Sequence, residues 1–477
     1  MSENPSACID KHRPLRWLLV HYAIIWLTYT SILVVVAAWH FGEESVLDIS
    51  PGVITLFSTN QEIQKAYGEK DLVHFAAGGL MLYEDHGFTS GWMKYTLWPL
   101  GMYLLHLTLL ILLGVQGPVV LGLILFTSGV WGGVMTALYS FFRRNISSYI
   151  SFLVPFVFFG FSIFRVYFLG DGLLSSEPIA IGLFCLAISF LFVGVSLKKK
   201  QYSILAGIVF GLACIFRLQC VTVILSGAGL LAIWVFIGWL SKFLKVKYNI
   251  HLVFNSAKDI KIHLCIGVGI AIVFVVTGDY WYKYKYTATV WDRSGWYYEF
   301  MWKKIDELGP NKDLLFKLGV PAPCYVDFNL CQEIARRKSN KEDVFKDLSG
   351  PPLWEYYKKM TFTTMAKNPL KWLFFRFERL PASWFSKVAY SEPNGPEYFD
   401  NSLYILLALA GVILLFFVSG TDGVFLIWLT ATHYFGFFLM FLMLHQEVRY
   451  LFMLKMSLVF TFLLTLSVVL PKINPSK

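Results

Sequence analysis

The sequence predicts an all-α polytopic membrane protein, and three observations carry that prediction. Of 477 residues, 56% are hydrophobic and only 15% are charged, whereas soluble domains average about a quarter charged. Apolar runs recur along the chain, most of them long enough to cross a hydrocarbon core of about 30 Å as a helix. Aromatic residues make up 18% of the chain, including 16 Trp and 25 Tyr, as expected of helices that end at headgroup level. The net charge of +10 is scattered in short clusters. No basic segment is long or repeated, which argues against nucleic acid as a partner.

The N-terminal stretch MSENPSACIDKHRPLRW leads into an apolar run at 17–39. That run is too long for a signal-peptide core and has no small-residue cleavage site after it, so it reads as an uncleaved first span. Further runs lie near 95–114, 117–141, 149–169, 178–197, 202–216, 220–240, 262–278, 403–418, 424–444 and 450–470. Lys11, Arg13 and Arg16 place the N-terminus in the cytoplasm. If every run crossed, Arg143–Arg144, Lys198–Lys200 and the Lys242, Lys245, Lys247 cluster would all lie outside. Removing one crossing returns each cluster to the cytoplasm. The run to remove is TLWPLGMYLLHLTLLILLG at 96–114, which holds Pro99 and His106, follows Lys94, and is joined to the next span by only VQG. It reads as a helix lying along or dipping into the outer interface. About ten crossings remain. The alternative is an inverted orientation.

This divides the chain into a transmembrane module at 1–278, with an outer loop at 41–92 and an interfacial helix within 93–114. An extracytoplasmic loop region follows at 279–402, then C-terminal transmembrane helices at 403–477. Cys185, Cys214, Cys220 and Cys265 fall in apolar runs and read as small hydrophobes. Cys324 and Cys331 share one polar loop, where a disulfide is open to them if the loop faces an oxidising compartment.

Three segments of the outer face carry chemistry. In GEKDLVHFAAGGLMLYEDHGF (68–88), Asp71 opens a helix, a position that capping and the helix dipole favour for an acid on structural grounds alone. Glu84, Asp85 and His86 form a second polar cluster there. Glu84 and His86 could bind a divalent metal, although their spacing matches no closed metal site. The link GDGLLSSEP (170–178) sets Asp171 and Glu177 between two apolar runs, with Pro178 suited to open the next helix. The segment HQEVRYLFMLK (445–455) places Arg449 at the head of the closing span. An isolated Arg there would be a snorkelling anchor. Beside His445 and Glu447, a guanidinium is also the group suited to a phosphate.

Together these segments resemble the GT-C glycosyltransferases, in particular the protein O-mannosyltransferase and aminoarabinose transferase branch. The resemblance rests on the acid Asp71 followed by LVHFAAGGL and then WPLG. It rests also on LLSSEPIAIG followed by KKK and AGIVFGLACIFR, and on the late Arg449–Tyr450. It covers 15–240 and 400–470. GEKD and WPLG stand where the family more often has a tighter acidic pair and a PPL motif, so which acid is the base stays open. The resemblance implies a GT-C-like bundle with juxtamembrane helices on its outer face. It implies transfer of a sugar from a polyprenyl phosphate to an acceptor glycan, lipid or protein, on the extracytoplasmic face of a plasma or inner membrane and with inversion. Asp71 would be the base. Glu177 and Asp171 would support the acceptor site or a metal, and Arg449, Arg217 and Lys94 would contact the donor phosphate. A multi-pass transporter would instead show inverted repeats and ionisable residues near the bilayer centre. A glycan ligase or polymerase using a diphosphate-linked oligosaccharide shares the same outer-face logic.

Overall fold

The computed structural model describes residues 15–41, 79, 82–83, 100–114, 118–143, 146–161, 175–217, 219–243, 258–286, 327–339, 351–385, 395–418, 420–443 and 448–473. Every regular element among the described residues is a helix. In hydrocarbon, backbone groups must be satisfied within their own segment, and a helix does this without a partner. The expected all-α architecture is the observed one. Among the described residues, seven helices are long and apolar enough to cross a membrane. They are α1 (Leu15–Phe41), α3 (Val119–Phe142), α5 (Ser176–Leu197), α7 (Gln219–Phe243), α8 (Lys258–Tyr286), α13 (Gly420–Met443) and α14 (Val448–Ile473).

The remaining apolar runs form shorter helical stretches. The 96–114 run yields α2 (Leu100–Leu113), whose 14 residues extend about 21 Å and fall short of a span. The 149–169 run, expected to be one continuous span, is broken. It forms α4 (Ser148–Leu153) and a 3₁₀ helix (Val154–Gly160), after which Phe161 is extended. Pro155 sits at that junction, where its missing N–H removes an α-helical hydrogen bond. The other two short apolar stretches are α6 (Lys200–Phe216) and the Asp400–Leu415 part of α12 (Gly395–Leu415).

Close contacts fix the direction of each helix. A hairpin joins α5 to α6 through Lys198, whose φ of 55° is left-handed. Helices α6 and α8 run parallel, because Ser203 bonds His263 at 2.7 Å, Gly207 meets the Gly267 carbonyl, and Gly211 meets Phe274. Small residues on α6 let the two backbones approach this closely. Helices α7 and α13 are antiparallel, with Val223 against Gly436 and Gly227 against Trp428. Helices α12 and α14 are parallel, with Asn401 beside Lys455 and Gly411 beside Phe462. Helices α3 and α5 are also parallel. Trp131 donates to the Pro178 carbonyl at 2.9 Å, and lower down Phe141 packs edge-on against Phe192. Finally, α1 runs antiparallel to α3 through the His21–Tyr139 stack and the Thr30–Ser128 bond.

The bundle therefore has two chemically different ends. One collects Arg143, Lys198, Lys199, Lys200, Lys242 and Lys258. At the other, α3, α5, α7, α12 and α14 begin, and α6, α8 and α13 end.

Between the end of α8 and the start of α12, the described part of the 279–402 region holds α9 (Phe328–Ser339), α10 (Pro351–Lys367) and α11 (Pro369–Phe385). Asp327 caps α9, its Oδ1 accepting from the Leu330 N–H at 3.2 Å, while Lys367 donates to Oδ2 at 2.6 Å. That lysine holds the Asp327 carboxyl below its usual range. Cys331 is disulfide-bonded, and Cys324 lies outside the described residues. Asn368 caps α11 through the Lys371 N–H, with Pro369 at the favoured first helical position.

Candidate functional site

Glu177 and Arg217 meet because α5 and α6 form a hairpin. Glu177 lies in the first turn of α5, and Arg217 follows the last residue of α6 with φ −148° and ψ 117°. An acid at a helix start and a cation at a helix end each complement the helix dipole. Here the two side chains form an ion pair with each other. Glu177 is 2% exposed and Arg217 4%. Removing two such charges from water is expensive, and close pairing offsets that cost. The Ser176 hydroxyl also donates to Glu177 Oε2.

The pair leaves hydrogen-bonding capacity open. Among the described residues, Arg217 Nε is buried without a hydrogen-bond partner, as are both Nε2 and Oε1 of Gln219 in the first turn of α7. Few buried polar groups in native proteins stay unsatisfied. An anion or hydroxyl reaching Arg217 would find a guanidinium N–H. Nearby, α2 packs its first turn on the end of α6. Any Cβ on Gly101 would lie 2.8 Å from the Phe216 ring, and Phe216 in turn stacks on Phe126 of α3. His106 of α2 is also buried, with Nδ1 bonded to the Met102 carbonyl and Nε2 without a partner among the described residues. Below Glu177, Trp131 seats under Gly182, where a Cβ would be 2.9 Å from the indole nitrogen. Phe158 packs edge-on against Trp131.

Of the eight residues singled out in the sequence, the structure brings together Glu177 and Arg217, and pairs them with each other. Arg449 lies in the first turn of α14, at the same end of the bundle, with its side chain outside the described residues. Asp71, Glu84, His86, Lys94 and Asp171 also lie outside them. Among the described residues no group of three or more His, Cys, Asp or Glu could hold a metal ion.

A second charged centre was missed. Lys455 of α14 is 1% exposed. Its Nζ donates to the Trp384 carbonyl at 2.9 Å and to Asn401 Oδ1 at 2.7 Å. The ammonium lies 5.0 Å from the Trp384 ring and 5.6 Å from Tyr404, within the reach of cation–π attraction. Trp384 Nε1 donates to the Asn401 carbonyl, closing a loop between α11, α12 and α14. The Asp400 carboxylate acts on the ammonium electrostatically. The available signal was a lone lysine inside the final apolar run, LFMLKMSLVF, since an ionisable residue within a span is functional or paired by default. The two centres are joined by rings. Tyr404 stacks on Phe161, the residue that follows the 3₁₀ helix carrying Phe158.

Lys455→Met keeps the side chain's bulk but strips Asn401 Oδ1 of its donor. We expect a loss of about 1–3 kcal/mol for the bare acceptor, read from thermal unfolding in detergent. Adding Asn401→Leu, which removes that acceptor, is expected to recover part of the loss. Wild-type stability in Lys455→Met would show that the ammonium does not hold the three helices together.

No family model matches the chain, and no curated protein sequence matches it. Among solved structures, it is similar to the archaeal oligosaccharyltransferase AglB from Archaeoglobus fulgidus, in complex with an inhibitory peptide and a dolichol-phosphate. The TM-score is 0.43 at 12% identity, covering 96% of this chain and 51% of that one. The chain thus spans about half the length of that enzyme.

Proposed function

We propose that this multi-pass membrane protein is a glycosyltransferase of GT-C type that moves a sugar from a polyprenyl-phosphate donor to an acceptor on the extracytoplasmic face. The observation that carries the reading is the buried Glu177–Arg217 pair at the bundle end opposite Arg143 and Lys198–Lys200. Basic residues favour the cytoplasmic side, so that partition supports an extracytoplasmic site. The disulfide at Cys331 agrees, because such bonds persist in oxidising compartments. Both α8, which leads into the 279–402 region, and α12, which leaves it, have their near ends at the Glu177–Arg217 end.

In this reading Asp71 deprotonates or orients the acceptor hydroxyl. Arg449, Arg217 and Lys94 stabilise charge developing on the leaving phosphate. With Arg217 already paired, its part falls to the N–H groups that Glu177 leaves open, and Arg449 supplies a second positive charge. Glu177 and Asp171 support the acceptor or a divalent metal, which Glu84 and His86 could also bind. A single displacement would invert the anomeric carbon.

The test is direct. The purified full chain in vesicles of phosphatidylethanolamine and phosphatidylglycerol is given a radiolabelled polyprenyl-phosphate sugar and a cell-envelope fraction. Transfer of label to a glycolipid, glycan or glycoprotein is expected, and the same product should vanish from mass spectra of envelopes lacking the protein. No transfer, together with unchanged envelopes, would overturn the proposal.

A further inference from the structure

The two charged centres share no residue, yet an unbroken row of rings runs between them. It begins at Lys455, whose ammonium lies 5.6 Å from the Tyr404 ring. Tyr404 stacks on Phe161 at 4.9 Å. The Phe161 N–H donates to the Phe158 carbonyl at 3.1 Å, and the Phe158 ring meets Trp131 edge-on at 5.4 Å. Trp131 then donates to the carbonyl of Pro178, the residue that follows Glu177. Tyr404, Phe158 and Trp131 are fully buried, and Phe161 nearly so.

Close-packed interiors have low compressibility and transmit displacement, and both ends of this row are tight. At one end a Cβ on Gly182 would lie 2.9 Å from the Trp131 indole nitrogen and 2.8 Å from Val130. Helix α5 therefore cannot turn or slide on α3 without moving Trp131. At the other end the ammonium is held by the Trp384 carbonyl and Asn401 Oδ1, which brings α11 and α12 to α14. The middle of the row is different. Phe158 and Phe161 belong to the break in the 149–169 run, a 3₁₀ helix of seven residues followed by extended backbone. Runs of 3₁₀ beyond three or four residues are uncommon, and within a longer helical stretch they often mark a hinge. Phe158 is taken by α3 and Phe161 by α12, so this joint has a grip on each centre.

We propose that Lys455 is a positioning residue for the Glu177–Arg217 pair, acting through Tyr404, the 158–161 joint and Trp131 on the first turn of α5. A shift of α11 at its Trp384 end moves the ammonium, then the joint, then Glu177 against Arg217. The 279–402 region, to which α11 belongs, is by this route coupled to the buried pair. The coupling stands whatever the pair binds. Its bearing on catalysis rests on the glycosyltransferase reading, in which it lets that region set the geometry around the donor phosphate.

The test is a double-mutant cycle between Lys455→Met and Glu177→Leu, on the full chain unfolded at equilibrium in mixed dodecyl sulfate micelles. Separated sites add to within about a factor of two in the folding constant. This cycle is expected to depart from additivity by at least about threefold. The departure should vanish in a Phe158→Leu background, which touches neither charge. Tyr404→Leu takes the place of Lys455→Met if that variant does not fold. Additive losses would overturn the proposal. So would coupling that survives Phe158→Leu, because α14 also packs directly on α5 and α3 and the route would then bypass the joint. In the transfer assay, Lys455→Met and Phe158→Leu should each lower kcat per folded molecule by about 10–100-fold, the cost of a small misplacement at an active site, with the donor KM little changed. Full kcat in both, with an active wild type, would leave Lys455 a purely structural residue and overturn its positioning role. A wild type that transfers nothing would end the glycosyltransferase reading, while the cycle still decides the coupling.

Discussion

Glu177→Leu and Arg217→Met are each expected to destabilise the protein by about 3–5 kcal/mol, the range for stranding one partner of a buried ion pair. The double variant is expected to lose far less, because it removes both buried charges and leaves only a mismatch of shape. The measurement is a double-mutant cycle on thermal or denaturant unfolding in one detergent, and it reads the coupling between the two side chains. Single losses that simply add would mean that the pair does not form. The same three proteins separate structure from chemistry. If the pair only locks α5 to α6, the folded double variant keeps its transfer activity. If Arg217 also reaches the donor phosphate, the double variant folds and does not transfer. The proposed mechanism expects the second outcome.

Asp71→Asn is expected to lower transfer by about 10²–10⁴-fold, the usual contribution of a general base, with normal membrane insertion and unfolding temperature. The substitution is nearly isosteric, so a helix-start role would largely survive it: Asn caps a helix about as well as Asp. This is what makes the variant informative. A purely capping Asp71 predicts little change in stability and full activity, whereas a base predicts unchanged stability and lost activity. Wild-type transfer in Asp71→Asn would remove it from the mechanism and leave the other acids of the outer face to be tested in turn. The drop should appear in kcat rather than only in KM, because the group acts on the acceptor hydroxyl in the transition state.

The helical, membrane-spanning character was legible because hydrocarbon imposes one local rule on every segment, and apolar run length reports it. The hairpin of α5 and α6 was legible from LKKKQ between two apolar runs. Its consequence, that Glu177 and Arg217 face each other, was not. Each was read by its own chemistry, one as an acid near the acceptor and the other as a cation near a phosphate. Sequence separation hides that the first turn of one helix and the end of the next share a single point in space. The broken 149–169 run was hidden for a different reason. The phenylalanine and valine neighbours of Pro155 keep the run's hydropathy high, while backbone geometry stops the helix there. Lys455 escaped notice because a single charge hardly lowers the mean of a long apolar window. Yet it ties α11 to the closing span.

The registry between α3 and α5 has a consequence for how deep the reaction would lie. Trp131 stands twelve residues into α3 from Val119, yet it bonds Pro178, only two residues into α5 from Ser176. Measured along α3, the start of α5 is therefore recessed by about 15 Å. The bundle carries a terrace, with one tall wall and a low step on which the paired charges rest. A substrate anchored in the leaflet would have to lean inward over that step to meet them.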